Sequence, residues 1–587
     1  MNKWIFSLLP FALLADDKPP VPPGGVLERQ LEQEYDTKEV EAHKTIPLLE
    51  FDFPEKEIEI GDEKIVINSV EFFGNLSISS KKLQRTVQPF LGKEMSMKEI
   101  HEMCLAIQAK YGRRGYFLAR VFVPPQEIRD HHLKIEIIEG KLGKVSVIGN
   151  KYYSEKFISR YFDKYTGEPI NYDQILKALL LLDENSDLDV AAVFKKGSTF
   201  GTSDLLVKVT DKKPLHLMVD TNNFGSDHTS NQRTGARFEW GNLLVSGDML
   251  TVIQVVGSPM KNLDFTQGIY HFPINTYGSS MDFSYLFANF KTDKVRVSKE
   301  KEEGEKSELR YKGRSVIGTV KFDQAIHRTR TLNTDFFTSF DYKKIQNFGG
   351  GTETSNDELR VLSGGMAIDY IDGLQGRNLF NGSVGWGIPS FLGGMSAVDS
   401  QSSRFDGGGG RFVKINGSWK RLQRIPYNCF LLLNVVMQYS FNKLPLPEQI
   451  YIGGMDTVRG YPLAAGLGDT GFYGTLELRV PPPVLRAHKV PWSKKTWGEF
   501  LQFVGFVDHG HTFDVRQNVL REMGLKFGKK KKEHVAYDNT ILTSAGVGAR
   551  LYGPWKLEWS LDIGYPLTEK HRSSNTIVYF RVAWNIL

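Results

Sequence analysis

The sequence predicts a membrane all-β protein: a 16-stranded transmembrane β-barrel preceded by two small βααββ modules and a short amino-terminal helix. Three observations carry that expectation. From Pro214 to the last residue, apolar and polar side chains alternate in segment after segment, as strands with lipid on one face and water on the other require. Sixteen such segments can be counted, an even number, and the connections between them alternate between long and short. Upstream, Val70-Glu-Phe-Phe-Gly-Asn75 returns as Val145-Ser-Val-Ile-Gly-Asn150, an offset of 75 residues that marks a duplicated module.

Composition removes other classes. The 587 residues are 41% hydrophobic and 24% charged, with a mean hydropathy of −0.30. After the amino terminus no run approaches the ~18 apolar residues of a spanning helix, which excludes a helical transporter. Aromatic residues make up 12% and there are 56 glycines, the excess expected of a barrel whose alternation cancels in any average. The net charge of +6 is small and dispersed, so there is no nucleic-acid footprint. No nucleotide loop, zinc spacing or nucleophile elbow is present, so no enzyme activity, catalytic residue, metal ligand or cofactor is assigned. Cys104 and Cys429 stand far apart and read as ordinary free cysteines, with their pairing left open.

The elements follow in order. Lys3, the apolar run Trp4 to Leu14 and Ala15 read as a signal peptide over residues 1–15, the alternative being a buried helix. Residues 16–34 hold a Pro/Gly linker and then the very polar helix candidate Val26 to Glu34. Residues 35–62 are acidic, carry proline and show no period, so they read as a tether. The first module (63–140) is expected as strand 65–73, helices 79–90 and 96–114, and strands 117–123 and 133–138. The second (141–212) repeats it with strand 144–148, helices 154–165 and 171–183, and strands 188–195 and 203–210. Each three-stranded sheet leaves an edge that can accept an extended peptide or serve only as a blunted spacer.

The barrel occupies 213–587, with strands near 215–223, 232–241, 248–257, 265–275, 280–291, 310–323, 329–344, 358–370, 378–387, 410–422, 428–442, 471–480, 500–509, 538–550, 554–564 and 575–587. Leu557, Trp559, Leu561 and Ile563 alternate with Lys556, Glu558, Ser560 and Asp562, and charges on that second face need a lumen. Long connections at 292–309, 345–357, 388–409, 443–470 and 510–537 belong outside the cell and short turns on the periplasmic side. Residues 481–499 are an unusually long stretch where a short turn is expected, and the run Lys529 to Lys532 reads as a solvated outer loop, the alternative being contact with acidic lipid headgroups.

The longest loop contains Gly453-Gly-Met-Asp-Thr-Val-Arg-Gly-Tyr461, and two strands later comes Phe506-Val-Asp-His-Gly510. Asp508 shares a strand face with Gln502 and so should look into the lumen. If the loop folds inward, Arg459 can meet Asp508 in a two-pronged hydrogen bond while Gly460 allows a tight tip. In a wet lumen such a pair lies between the ~0–1 kcal/mol of an exposed pair and the ~3–5 kcal/mol lost on breaking a buried one. The plain alternative is a solvated loop arginine.

With these motifs the chain resembles the outer-membrane transporters of two-partner secretion, the hemolysin secretion/activation protein family built of POTRA modules and a β-barrel. The resemblance rests on Val458-Arg459-Gly460-Tyr461 with Phe506 to Gly510, on Leu27 and Gln30, and on Tyr111-Gly-Arg-Arg-Gly115-Tyr116 leading to Pro124-Pro125-Gln126. Leu133 to Gly140, and Tyr270 with Pro273 and Gly278, match as well. The chain departs from the family in ending Trp584-Asn-Ile-Leu587 rather than on an aromatic residue. The resemblance implies a pore that moves a large exoprotein, adhesin or hemolysin-like, from periplasm to cell surface without nucleotide hydrolysis. It implies a plug helix (Val26, Leu27, Gln30, Leu31), a lock of the inward loop on the barrel (Val458, Arg459, Gly460, Tyr461, Asp508, Gly510), and partner capture on the first module (Tyr111, Gly115, Tyr116, Pro124, Pro125, Gln126). It also implies outer-membrane lipid, periplasmic chaperones and barrel-assembly machinery as partners. A barrel-assembly factor and a passive porin or uptake receptor stay open as alternatives; two modules, rather than three to five or none, argue against both.

Overall fold

Sixteen antiparallel strands, from Leu215–Asn222 to Ile577–Asn585, pair in chain order and close into one barrel, the first and last joined from Met218↔Asn585 to Asn222↔Arg581. Closure satisfies every strand edge, which lipid demands because it offers no hydrogen bonds. The computed structural model describes residues 24–35, 49–51, 64–226, 229–292, 295–298, 306–404, 407–493, 495–515, 539–568 and 576–586. The expected signal peptide, most of the tether and the Lys529 to Lys532 run lie outside the described residues. Among the described residues no helix is long and apolar enough to cross a membrane, so the crossing is made by strands. Along them Leu476, Leu478, Trp559 and Ile563 face outward, while Glu477 and Asp562 are buried within.

One expected loop is strand instead. Residues 345–357 continue the pairing of Leu332–Gly349 with Thr352–Ile371 around the turn Gly350-Gly351, whose φ angles are 60° and 94°. One face of this hairpin is buried yet largely polar, with Asn347, Ser355 and Asp357, and the other carries Gln346 and Glu353, so the apolar alternation is lost while the ladder continues. Within the longest loop, Ile450–Ile452 and Gly466–Gly468 form a small hairpin of their own.

Upstream, the repeated motif repeats one geometry. Gly74 and Gly149 have φ of +80° and +91°, and a Cβ there would meet the carbonyl oxygens of Ile137 and Val209 at 2.2 and 2.3 Å. The Asn after each glycine then ties the next turn: Asn75 donates to Ile78 O at 2.9 Å and Asn150 to Tyr153 O at 2.8 Å. In the first module the expected strand 65–73 is broken in two. Lys64–Val66 pairs with Glu94–Ser96, and Ser69–Phe73 runs parallel to His132–Ile138, which also pairs with Arg120–Phe122. Helix Met97–Gly112 opens on Ser96 and Glu99, which cap each other reciprocally, and it buries Ile100, Met103, Ile107 and Tyr111.

The second module has the sheet Lys141–Ile148, Thr202–Asp211 and Leu188–Lys196, with a fourth strand the sequence did not suggest. Leu49–Phe51, from the tether, pairs parallel with Leu188–Lys196 and fills that edge. This module docks on the barrel's periplasmic turns: Gly247 touches Phe157, Gly278 approaches Leu181, and Arg328 forms an ion pair with Glu184. Cys104 and Cys429 are both free thiols, the former in the first module's core.

Candidate functional site

The loop between the barrel strands Cys429–Ser440 and Thr470–Val480 enters the lumen and is held at both ends. Near its start, the carboxylate of Glu448 lies between Lys343 at 2.9 Å and Lys414 at 2.8 Å, from the barrel strands Leu332–Gly349 and Phe412–Ile425. At its tip Arg459 meets Asp508. Nε and Nη2 donate to the two carboxylate oxygens at 2.8 and 2.9 Å, and the Arg459 backbone N–H donates a third bond at 3.1 Å. Nη1 reaches Glu477 at 3.1 Å, and the guanidinium lies 3.4 Å over the ring of Phe506. Asp562 stands 3.8 Å away and is itself held by Arg550 at 3.0 Å.

The lumen around this pair is dry, contrary to the wet one expected: the side chains of Arg459 and Asp508 are 4% and 0% exposed. The loop tip and the wall side chains Glu477, Phe506 and Asp562 fill the space around the pair. Removing one partner therefore belongs at the ~3–5 kcal/mol end of the scale.

The neighbours of Arg459 explain themselves by contact. Gly460 has φ +87°, and a Cβ there would come within 3.0 Å of the Gly564 backbone, so the tip touches the wall with no side chain between. Its N–H donates to Tyr579 Oη at 3.1 Å, and that hydroxyl donates on to Tyr461 O at 3.2 Å. Tyr461 is buried with its hydroxyl 2.8 Å from Thr543 O. Val458 packs with Ile450, Ile452 and Tyr473, and Gly510 makes room: its Cβ would lie 3.0 Å from Val458.

The helix Gly24–Tyr35 also lies in the lumen, and its polarity is answered there. Gln30 is wholly buried; it donates to Phe224 O at 3.0 Å and to Asp456 at 3.3 Å, and accepts from Arg233 at 3.1 Å. Glu34 accepts from Asn222 at 2.6 Å, and Tyr451 donates to Gln33 at 2.8 Å. Leu31 fits an apolar patch of Ile253, Val255, Phe265 and Leu286 on the inner wall. The side chains of Val26 and Leu27 lie outside the described residues. Helix and loop touch each other directly, through Gln30 with Asp456 and Gln33 with Tyr451.

On the first module the six candidates separate. Tyr111 is a correction: it is fully buried and donates to Glu139 at 2.9 Å, so it offers no surface to a partner. Gly115 has φ +85°, and its carbonyl accepts from Tyr172 N at 2.8 Å, which makes it the joint between modules. Tyr116 packs edge-on to Tyr111 at 6.2 Å. Gln126 pairs its amide with both the N–H and the C=O of Lys134, at 2.9 and 2.7 Å, prolonging the ladder begun by Arg120–Phe122. Pro125 is exposed, Pro124 half-buried, and Phe122 on the edge strand is exposed.

The parity of the strands was enough to assign Glu477 and Asp562 to the lumen, but nothing local joins them to Arg459. Lys343, Lys414 and Glu448 gave no signal at all, because the loop's path brings them together.

A closed barrel holding a helix and a pinned loop in its lumen, with two modules beneath, defines the class of outer-membrane β-barrel proteins with an occupied lumen. Residues 201–518 match the family described as Haemolysin secretion/activation protein ShlB/FhaC/HecB, and residues 65–140 match the POTRA domain, ShlB-type. The chain belongs to that secretion/activation family. It is an outer-membrane pore of two-partner secretion that carries an exoprotein partner from the periplasm to the cell surface, with its POTRA modules in the periplasm. It is similar to the Heme/hemopexin transporter protein HuxB of Haemophilus influenzae, 22% identical over 442 residues, 74% of this chain and 73% of that one. Outer membrane transporter CdiB of Escherichia coli is 21% identical over 490 residues, 81% of this chain and 80% of that one. The solved structure of CdiB from Escherichia coli shares the fold, with a TM-score of 0.74 at 18% identity over 96% of this chain and 99% of that chain.

Proposed function

We propose that the Arg459–Asp508 pair is the lock that keeps the inward loop in its working position during secretion, and that helix 24–35 is the plug which leaves before the partner passes. The observation that carries this reading is the dry, two-pronged pair at the loop tip, flanked by Glu477 and Asp562. A buried guanidinium facing three carboxylates costs much to abandon, so it suits a part that stays in place while the helix moves. Partner capture belongs to the first module, at the edge strand Arg120–Phe122 with Phe122 and Pro125. The second module's edge is already filled by Leu49–Phe51, which supports that choice.

The partner is a large β-rich exoprotein of adhesin or hemolysin type, delivered unfolded with the help of periplasmic chaperones, while barrel-assembly machinery inserts the pore itself. Transport needs no catalytic step from this chain. The test is secretion of the partner by cells carrying Arg459→Ala or Asp508→Ala, with barrel insertion checked by heat-modifiable electrophoretic mobility. Both variants should insert and lose most secretion; normal export by both would remove the lock.

A further inference from the structure

Residues 481–499 replace a short periplasmic turn with a folded excursion. Its backbone is internally bonded: Lys489 bridges Thr496, Val490 N donates to Lys495 O at 3.0 Å, and Trp497 N to His488 O at 2.9 Å. The helix Trp497–Phe500 is closed by a reciprocal cap between Thr496 and Glu499, and Val490 and Phe500 are buried at its base. So much local order is unusual for a solvated turn, yet the excursion turns apolar side chains outward: Val484 is 83% exposed, Trp492 62% and Leu485 45%. Trp492 stands edge-on to Trp497 at 6.1 Å and to Phe500 at 6.3 Å.

Its neighbours continue the theme. Arg486 lies 4.7 Å over the ring of Tyr427, in the next turn on one side, and Lys495 donates to Tyr552 O at 3.3 Å on the other. Tyr427 is 71% exposed, and Trp555, in the turn that follows Tyr552, 82%. The excursion leaves directly from the lipid-facing wall, between Leu478 at one strand's end and Phe503 at the start of the next, both exposed. The opposite part of the rim differs, because there the turns at Gly247, Gly278 and Arg328 are covered by the second POTRA module.

We propose that residues 484–493 with 495–497 form a membrane-surface anchor that seats in the inner leaflet of the outer membrane and binds anionic phospholipid headgroups. Two observations select lipid as the occupant. The exposed apolar side chains extend the barrel's established lipid face, and rings of Trp and Tyr favour the boundary between headgroup and acyl chain. The surrounding charge is basic, with Arg486, Lys489 and Lys495, while the single acid, Glu499, is held in the helix cap. Each basic residue near an anionic surface strengthens attachment about fivefold. The anchor sits under the wall that carries Asp508, Glu477 and Asp562, and so steadies that wall at a set depth while the POTRA side faces the periplasm.

The experiment uses the full chain with Cys104→Ser and Cys429→Ser, a nitroxide label on Val484→Cys, and reconstitution into vesicles of phosphatidylethanolamine with phosphatidylglycerol. Labels on Phe503→Cys and Phe200→Cys serve as lipid and water references. The Val484 label should collide with oxygen as the Phe503 label does and be shielded from a nickel chelate. Adding Lys489→Glu with Lys495→Glu should raise its nickel exposure in these vesicles and leave it unchanged in phosphatidylcholine. A label as open to nickel as that on Phe200 overturns the anchor, including when it becomes immobile only after purified assembly machinery or partner is added. A charge reversal without effect overturns the anionic headgroup. Where Val484→Cys fails the heat-modifiability check, Leu485→Cys carries the label.

Discussion

Arg459 does more than balance Asp508, because its three side-chain nitrogens donate to two carboxylates and its plane rests on Phe506. A lysine has the charge but neither the fork nor the flat face. Arg459→Lys should therefore insert normally and restore only a small part of the secretion lost in Arg459→Ala, measured in the same cells. Gly460 is constrained on two counts, a left-handed φ of +87° and the Gly564 backbone at 3.0 Å from a Cβ. Gly460→Ala should displace the tip and reduce secretion several-fold with Arg459 and Asp508 both present. Residue types such as these were legible: a guanidinium, a lumenal carboxylate two strands on and a glycine at a tip are chemically suggestive. The companions were not, since Glu477 and Arg550 look like any lumenal charge until the loop arrives among them.

The lumenal helix Gly24–Tyr35 is the element least able to stand alone. A helix of 12 residues is marginal in water, and this one is polar, so its order comes from what the lumen supplies. Leu31 is its one wholly buried apolar anchor among the described side chains, and Gln30 its most connected polar one. Truncating a buried leucine costs ~2–5 kcal/mol, much of what could hold so short an element. Leu31→Ala should raise the frequency of open events in planar-bilayer recordings, and deletion of 24–35 should raise the conductance outright. An unchanged current trace from the deletion would mean that the helix is no plug. The tether strand Leu49–Phe51 was illegible for a related reason. Three residues carry no period, and only the free edge of Leu188–Lys196 makes them a strand.

At the scale of the whole molecule, the second POTRA module and the barrel behave as one piece across a small seam. Gly278 is one of its close points, where a Cβ would meet Leu181 of the module at 2.9 Å and Ala325 of the adjoining barrel strand at 2.5 Å. Gly278→Val should leave the barrel's heat-modifiable shift intact, speed proteolysis between module and barrel, and lower secretion. That family resemblance includes Gly278, but its reason is visible only when the module is seated against the turn.

Barrel, strand number and lumenal faces followed from the sequence alone, because a period of two with lipid on one side is imposed residue by residue over every strand. The duplicated module followed too, since Gly74 and Gly149 each need the same left-handed turn under a carbonyl. What only the tertiary structure decided were the encounters between distant parts: Glu448 between Lys343 and Lys414, Gln30 on Asp456, Tyr111 in a core rather than on a surface, and an Arg459–Asp508 pair that is buried rather than wet. Periodicity is a local demand and can be read along the chain. The burial of a charge depends on which remote segments fill the space around it, and no local pattern carries that information.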